Sequence, residues 1–154
     1  MKTMLVSLLT LMCAATLFAQ TEWRGGFPGR ETAWLCAHNW SDQRVPDDMD
    51  NVVIPDCSTR GNFYPVIRSK TANVQSLVIE SNASLKIGNG GHLKVMGYGL
   101  PNGALFNLGA LENNGTLEVI EPVMHAVNYS GEGTLIHTRS DLKPDVCEFE
   151  CAIK

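Results

Sequence analysis

The side chains in this sequence that could do chemistry are few and scattered. Asp47, Asp48, Asp50 and Asp56 crowd one short stretch, and their oxygens are the hard ligands that Ca²⁺ takes. Their spacing is not that of a calcium loop, so the reading is a solvated turn before the strand Val52–Ile54. The four histidines, His38, His92, His125 and His137, have no H-x-x-x-H partner and no nearby Cys pair, so no metal centre is expected. Lys86, Lys94, Glu112 and Glu118 are the groups a polysaccharide lyase or a glycoside hydrolase would need. Glycoside hydrolysis requires two facing carboxylates, and nothing in the spacing pairs these two. The expectation is a non-enzymatic chain without cofactor or metal.

Aromatic side chains offer a second chemistry, stacking on sugar rings through a flat apolar face with a polar edge. Tyr98 and Tyr129 lie near glycines in expected loops and are the candidates for exposed ligand contacts. Trp34, Trp40 and Tyr64 fall in a Trp- and Pro-rich segment, where large aromatics serve better to bury the end of a sheet.

These residues must be positioned by a chain of 154 residues, enough for one domain. It opens with Lys2, then an apolar run from Met4 to Leu17, then Phe18-Ala19. The run is short for a membrane span, and the pattern is that of a signal peptide over residues 1–19. Met12 before Cys13 is too large for a lipoprotein signal. Removing 19 of the 154 residues leaves 135, with 11 basic and 16 acidic side chains and a net charge of −5. That balance disfavours nucleic acid as a partner. After cleavage no apolar run is long enough to be transmembrane. Cys36, Cys57, Cys147 and Cys151 remain, an even number that in an exported chain reads as disulfides. Three connectivities are open; locality favours Cys36–Cys57 with Cys147–Cys151.

The rest divides into residues 20–70, a Trp/Pro-rich N-terminal cap region; 71–138, rich in Gly, Asn, Leu and Val; and 139–154, a Cys-containing tail. The middle zone alternates at period two in "ASLKIG", "GHLKVMG" and "GTLEVIE", the mark of strands with one wet and one buried face. No helical period competes. A second pattern overlies the first: Gly103-Ala104-Leu105, Gly109-Ala110-Leu111 and Gly115-Thr116-Leu117 repeat in phase. From Leu93 to Leu105, Leu111, Leu117 and Leu135 every step is a multiple of six. A chain that closes on itself about every 18 residues would stack Leu93 on Leu111 and Leu117 on Leu135. This favours an all-β fold, a short β-solenoid with these leucines inside, over a β-sandwich of short hairpins.

The first zone resembles a known family. "AWLCAHNWS", "VPDDMDNVVIPD", "FYPVI", "VQSLVIESNASLKI" and "HLKVMG" follow in the order found in the N-terminal module of large repetitive β-solenoid surface proteins of Gram-negative bacteria. The matching residues are Trp34, Asn39-Trp40, Val45-Pro46, Asp50 with Val52, Ile54-Pro55 and Tyr64-Pro65. More distantly the chain is similar to the eight-glycine extracellular domain. The resemblance implies a pectin-lyase-like right-handed β-helix and an extracellular or cell-surface place, reached by a type IX route. Family members run on for hundreds of residues into a sorting domain, whereas this chain stops at Lys154, as a short member or as an opening piece.

The expected function is therefore that of an exported structural or adhesive module, its partner a surface polysaccharide or a host or matrix protein. The alternatives are a carbohydrate-binding module using Tyr98 and Tyr129, and a remnant of a polysaccharide-degrading enzyme.

Overall fold

A computed structural model describes residues 20–98, 104–120 and 124–138, with the backbone alone for 124–127. The strands are β1 (Gln20–Glu22), β2 (Asn51–Ile54), β3 (Val66–Ile67), β4 (Thr71–Val74), β5 (Ser76–Ile79), β6 (Ser84–Ile87), β7 (His92–Val95), β8 (Leu105–Asn113), β9 (Thr116–Ile120), β10 (Met124–Ser130) and β11 (Thr134–Thr138). Only two short 3-10 turns, Ala37–Asn39 and Ser58–Arg60, interrupt this strand-dominated fold among the described residues. No described helix is long and apolar enough to cross a membrane. The alternation in the sequence is realised strand by strand: in β5, β6, β7 and β9 each leucine is buried and its neighbours are wetter.

The strands form two curled sheets. One runs β1-β2-β5-β8-β6-β3, with β10 also on β8; the other runs β11-β9-β7-β4. Every registered strand pair is parallel. A hairpin joins antiparallel neighbours, so a sandwich of short hairpins does not describe these residues. Parallel pairing puts like positions above one another, and the interior is a set of apolar columns. Val52 pairs with Leu77 and Leu77 with Leu105. Leu85 pairs with Leu111, and Leu111 with Tyr129. Ala72 pairs with Leu93, Leu93 with Leu117, and Leu117 with Leu135.

Two of these columns correct the stacking expected from six-residue steps. Leu117 does lie beside Leu135, 18 residues on, but Leu93 lies beside Leu117, 24 residues on, and Leu111 beside Leu85. The reason is β8. It runs unbroken through Gly109 while the layer next to it leaves the sheet at Glu80–Ala83 between β5 and β6. Leu105 and Leu111 thus share one sheet, and Leu93, Leu117 and Leu135 belong to the other. Leu93, Leu105, Leu111 and Leu117 are fully enclosed, each contributing about 1.5–3 kcal/mol of apolar burial; Leu135 is part-buried against the same core.

At one end of this core three tryptophans pack edge to face. Trp40 stands between Trp23 and Trp34, with centroids 4.9 and 4.7 Å away. All three are buried. Their polar edges are mostly matched: Trp23 Nε1 donates to the Phe63 carbonyl at 2.7 Å and Trp40 Nε1 to the Trp34 carbonyl at 2.8 Å. Asn39, fully buried, ties the preceding loop to them. Its Nδ2 donates to the carbonyls of Arg30 and Ala33, and its Oδ1 accepts from the Phe27 N–H. Tyr64 packs part-buried against this cluster.

The Cys36–Cys57 bridge expected from the sequence is not formed. Both are buried free thiols. Each heads a different 3-10 turn, and the Cys57 Sγ instead lies 3.5 Å from the Pro55 carbonyl oxygen. Cys147 and Cys151, the signal segment 1–19 and the tail 139–154 lie outside the described residues.

Candidate functional site

The sequence-nominated groups are spread over the outside of both sheets. Of the acidic stretch, Asp50 is committed to structure. Its carboxylate takes a two-pronged hydrogen bond from Arg44, with Arg44 Nη1 at 2.6 Å, and a third from the Asp47 N–H at 2.8 Å. Burial pushes the Asp50 carboxyl up, but the Arg44 hydrogen bond, the Asp47 N–H and the Arg44 charge together hold it below its ordinary value. Asp56 accepts from the Ser58 N–H and the Tyr64 hydroxyl, and these bonds lower its pKa too. Among the described residues no three His, Cys, Asp or Glu side chains form a metal-sized group.

The two carboxylates considered for glycoside chemistry, Glu112 and Glu118, stand on different sheets, each with its own base. Glu112 on β8 meets Lys86 of β6 at 2.6 Å and accepts a second bond from Asn114 Nδ2. The Lys86 hydrogen bond keeps the Glu112 carboxyl below its usual range, so it stays ionised at neutral pH and is poorly suited to deliver a proton. Glu118 on β9 sits between Lys94, at 3.0 Å, and His92, whose Nε2 is 3.2 Å away but enclosed and not aligned for a hydrogen bond. His38 stacks on Phe27 at 4.6 Å. These are cross-strand charge ladders of the kind that keep a parallel sheet's outer face wet.

The two candidate tyrosines diverge. Tyr98 follows β7, is half exposed, and its carbonyl accepts from Gln75 Nε2. Tyr129 is not in a loop. It lies on β10, packed part-buried against the core, with its hydroxyl accepting from the Asn113 amide at 2.9 Å. A register shift between Ala126 and Asn128 breaks the alternation that would have marked β10 as a strand. The two do not form one stacking platform.

Sequence reasoning passed over the corner between β3 and β4, Arg68-Ser69-Lys70. The described surface is recessed there. Arg68 borders three depressions. One, of about 110 Å³, is lined by Trp34, Leu35, Ile67, Lys70 and Ala72 among others. A second, of about 340 Å³, includes Arg30, Glu31 and Leu35. The third, of about 330 Å³, is formed with Ser69, Lys86, Gly88, Asn89 and Asn114. A signal was present: "IRSK" is the one place in the chain where two basic residues fall within three positions. No family model matches this chain, nor does any curated protein or solved structure.

Proposed function

We propose that the chain is an exported, non-enzymatic surface module with a structural and adhesive role, built as a short β-solenoid. In this reading residues 1–19 direct export, 20–70 cap the N-terminal end, 71–138 form the coils and 139–154 extend beyond them. The sense would be right-handed, as parallel crossovers almost always are. The observation that carries it is the run of in-register parallel columns, Leu93–Leu117–Leu135 above all. Such columns let each layer serve as template for the next, and they leave the outer faces free for display. The charge ladders on those faces support a surface that stays hydrated while touching a partner.

Protease treatment of intact cells of the source organism tests this. Release of peptides from the chain, with the protein beginning at Gln20, is the expected result. Protection until the cells are lysed would overturn the surface role. Exposed Tyr98 favours one second reading, a carbohydrate-binding module. Retention on a glycan matrix, lost on Tyr98→Ala, would move the conclusion there; turnover of a polysaccharide by the purified chain would point instead to an enzyme remnant.

A further inference from the structure

The corner at Arg68 has features that the surface reading leaves unused. Eight lysines and arginines lie among the described residues. Four have a carboxylate partner: Arg44 with Asp50, Arg60 with Glu22, Lys86 with Glu112 and Lys94 with Glu118. Of the remaining four, three converge here, since Arg30, Arg68 and Lys70 all line the depressions that Arg68 borders. In a chain with 16 acidic and 12 basic residues, three such cations around adjoining depressions, Lys70 on the first, Arg30 on the second and Arg68 on all three, run against the average charge. The carboxylate nearest in sequence, Glu31, shares one depression but is turned onto its own backbone, its Oε1 accepting from the Gly29 N–H at 2.8 Å.

Ser69 adds a second observation. Its φ is +55°, left-handed, where a side chain is disfavoured. One layer on, the corner residue lying over Ser69 is Gly90, with φ +75° and a Cβ position 3.6 Å from the Ser69 Cα. Glycine therefore serves the same turn in the adjacent layer, and serine holds this one at a conformational cost. Strain retained at a recessed surface is a mark of function. What serine supplies over glycine is a hydroxyl, on a residue that lines one depression with Arg68, Asn89 and Asn114. The neighbouring cavity adds an unmet donor: Trp34 lines it, and its buried indole N–H has no acceptor among the described residues.

We propose that the Arg68-Ser69-Lys70 corner is a binding site for an oxyanion, a carboxylate or phosphate group borne by a small ligand. The guanidinium offers a planar fork of donors matched to two oxygens of such a group. The Ser69 hydroxyl and the Lys70 ammonium add donors beside it. Asn89 adds an amide from the next layer, so the site needs the stacked corners and not the Arg68 loop alone. This inference stands on the corner and is independent of whether the chain acts at a surface.

The test is a titration of the full chain with inorganic phosphate and, separately, acetate, followed through the backbone N–H resonances of Ser69, Lys70 and Asn89, which parent and variants share. A saturable shift is expected, with Arg68→Gln weakening binding by about tenfold or more. Arg60→Gln, which removes a base already paired with Glu22, should leave the affinity as it was. Ser69→Gly should weaken binding while raising the thermal midpoint, a pairing that mere damage to the fold would not give. Tighter phosphate than acetate would assign the natural ligand to phosphate esters, and the reverse order to carboxylates. No saturable shift with either probe, or an Arg68→Gln chain that binds as the parent does, would overturn the site.

Discussion

Gly115 lies so close to the carbonyl of Gly91 that a Cβ on it would stand 2.3 Å from that oxygen. The same relation recurs along the corner: a Cβ at Gly91 would meet the Ile67 carbonyl at 2.5 Å, and one at Gly133 the Gly115 carbonyl at 2.6 Å. The residue after each glycine then donates its N–H to the layer beside it: His92 to the Lys70 carbonyl, Thr116 to that of Gly91, Thr134 to that of Gly115. Glycine precedes x-Leu here because the backbones of adjacent layers touch. Gly115→Ala should therefore cost about 1–3 kcal/mol or more by overpacking against backbone that cannot yield. Urea unfolding measures it, and an unchanged midpoint would show that the layers are not this close.

Leu111 is enclosed between Leu85 and Tyr129, whereas Leu135, at the last described strand, is only part-covered. Leu111→Ala should destabilise by about 2–5 kcal/mol, the cost of a buried leucine plus its cavity. Leu135→Ala should cost clearly less. Leu111→Asp places a charge in the column and should leave no folded chain. Equal losses for the two alanine variants in urea would mean that Leu135 is as deeply covered as Leu111.

How much of this was legible beforehand depended on which physics wrote the pattern. Strands were legible at Leu85, Leu93 and Leu117, because alternation follows directly from one wet and one dry face. The burial of Trp34 and Trp40 was legible from size and composition. The partners of Leu93 and Leu111 were not, since a regular six-residue step cannot reveal that β8 crosses a corner that the neighbouring layer bulges around. Tyr129 was misplaced because a bulge breaks its alternation. The Arg68 corner was passed over for a different reason: exposed bases obey no periodicity, and only the folded layers bring Arg30, Lys86 and Asn114 toward it.

The Asp50 carboxylate should govern part of the acid sensitivity. Its pKa is lower folded than the unfolded value of about 3.9. Its stabilisation is thus fully present above that value and is lost as pH falls through the folded pKa. Arg44 is about half exposed, which screens the pair, so Asp50→Asn should cost on the order of 1 kcal/mol at pH 7. The gap between parent and variant should narrow as pH falls below about 3.9 and close as pH passes through the folded pKa. A gap in urea midpoints that stays constant from pH 7 down to acid unfolding would show that the charge of Asp50 contributes nothing.

Cys57 should behave as a core residue and not as a reactive thiol. Burial raises its pKa, the charges of Asp56 and Glu22 raise it further, and Arg60 only partly opposes them. A raised pKa means less thiolate at a given pH, and thiolate is the form that alkylates. Its side chain is also fully enclosed in the cluster of Trp23, Trp40 and Ile54. Iodoacetamide at pH 8 should therefore leave the Cys57 peptide unmodified in the native chain and label it fully in guanidinium, as read by mass spectrometry. Rapid native labelling would mean that this part of the core opens readily. A disulfide-linked peptide joining Cys36 to Cys57 would mean that the two turns can approach each other and that oxidation, not packing, closes the N-terminal end.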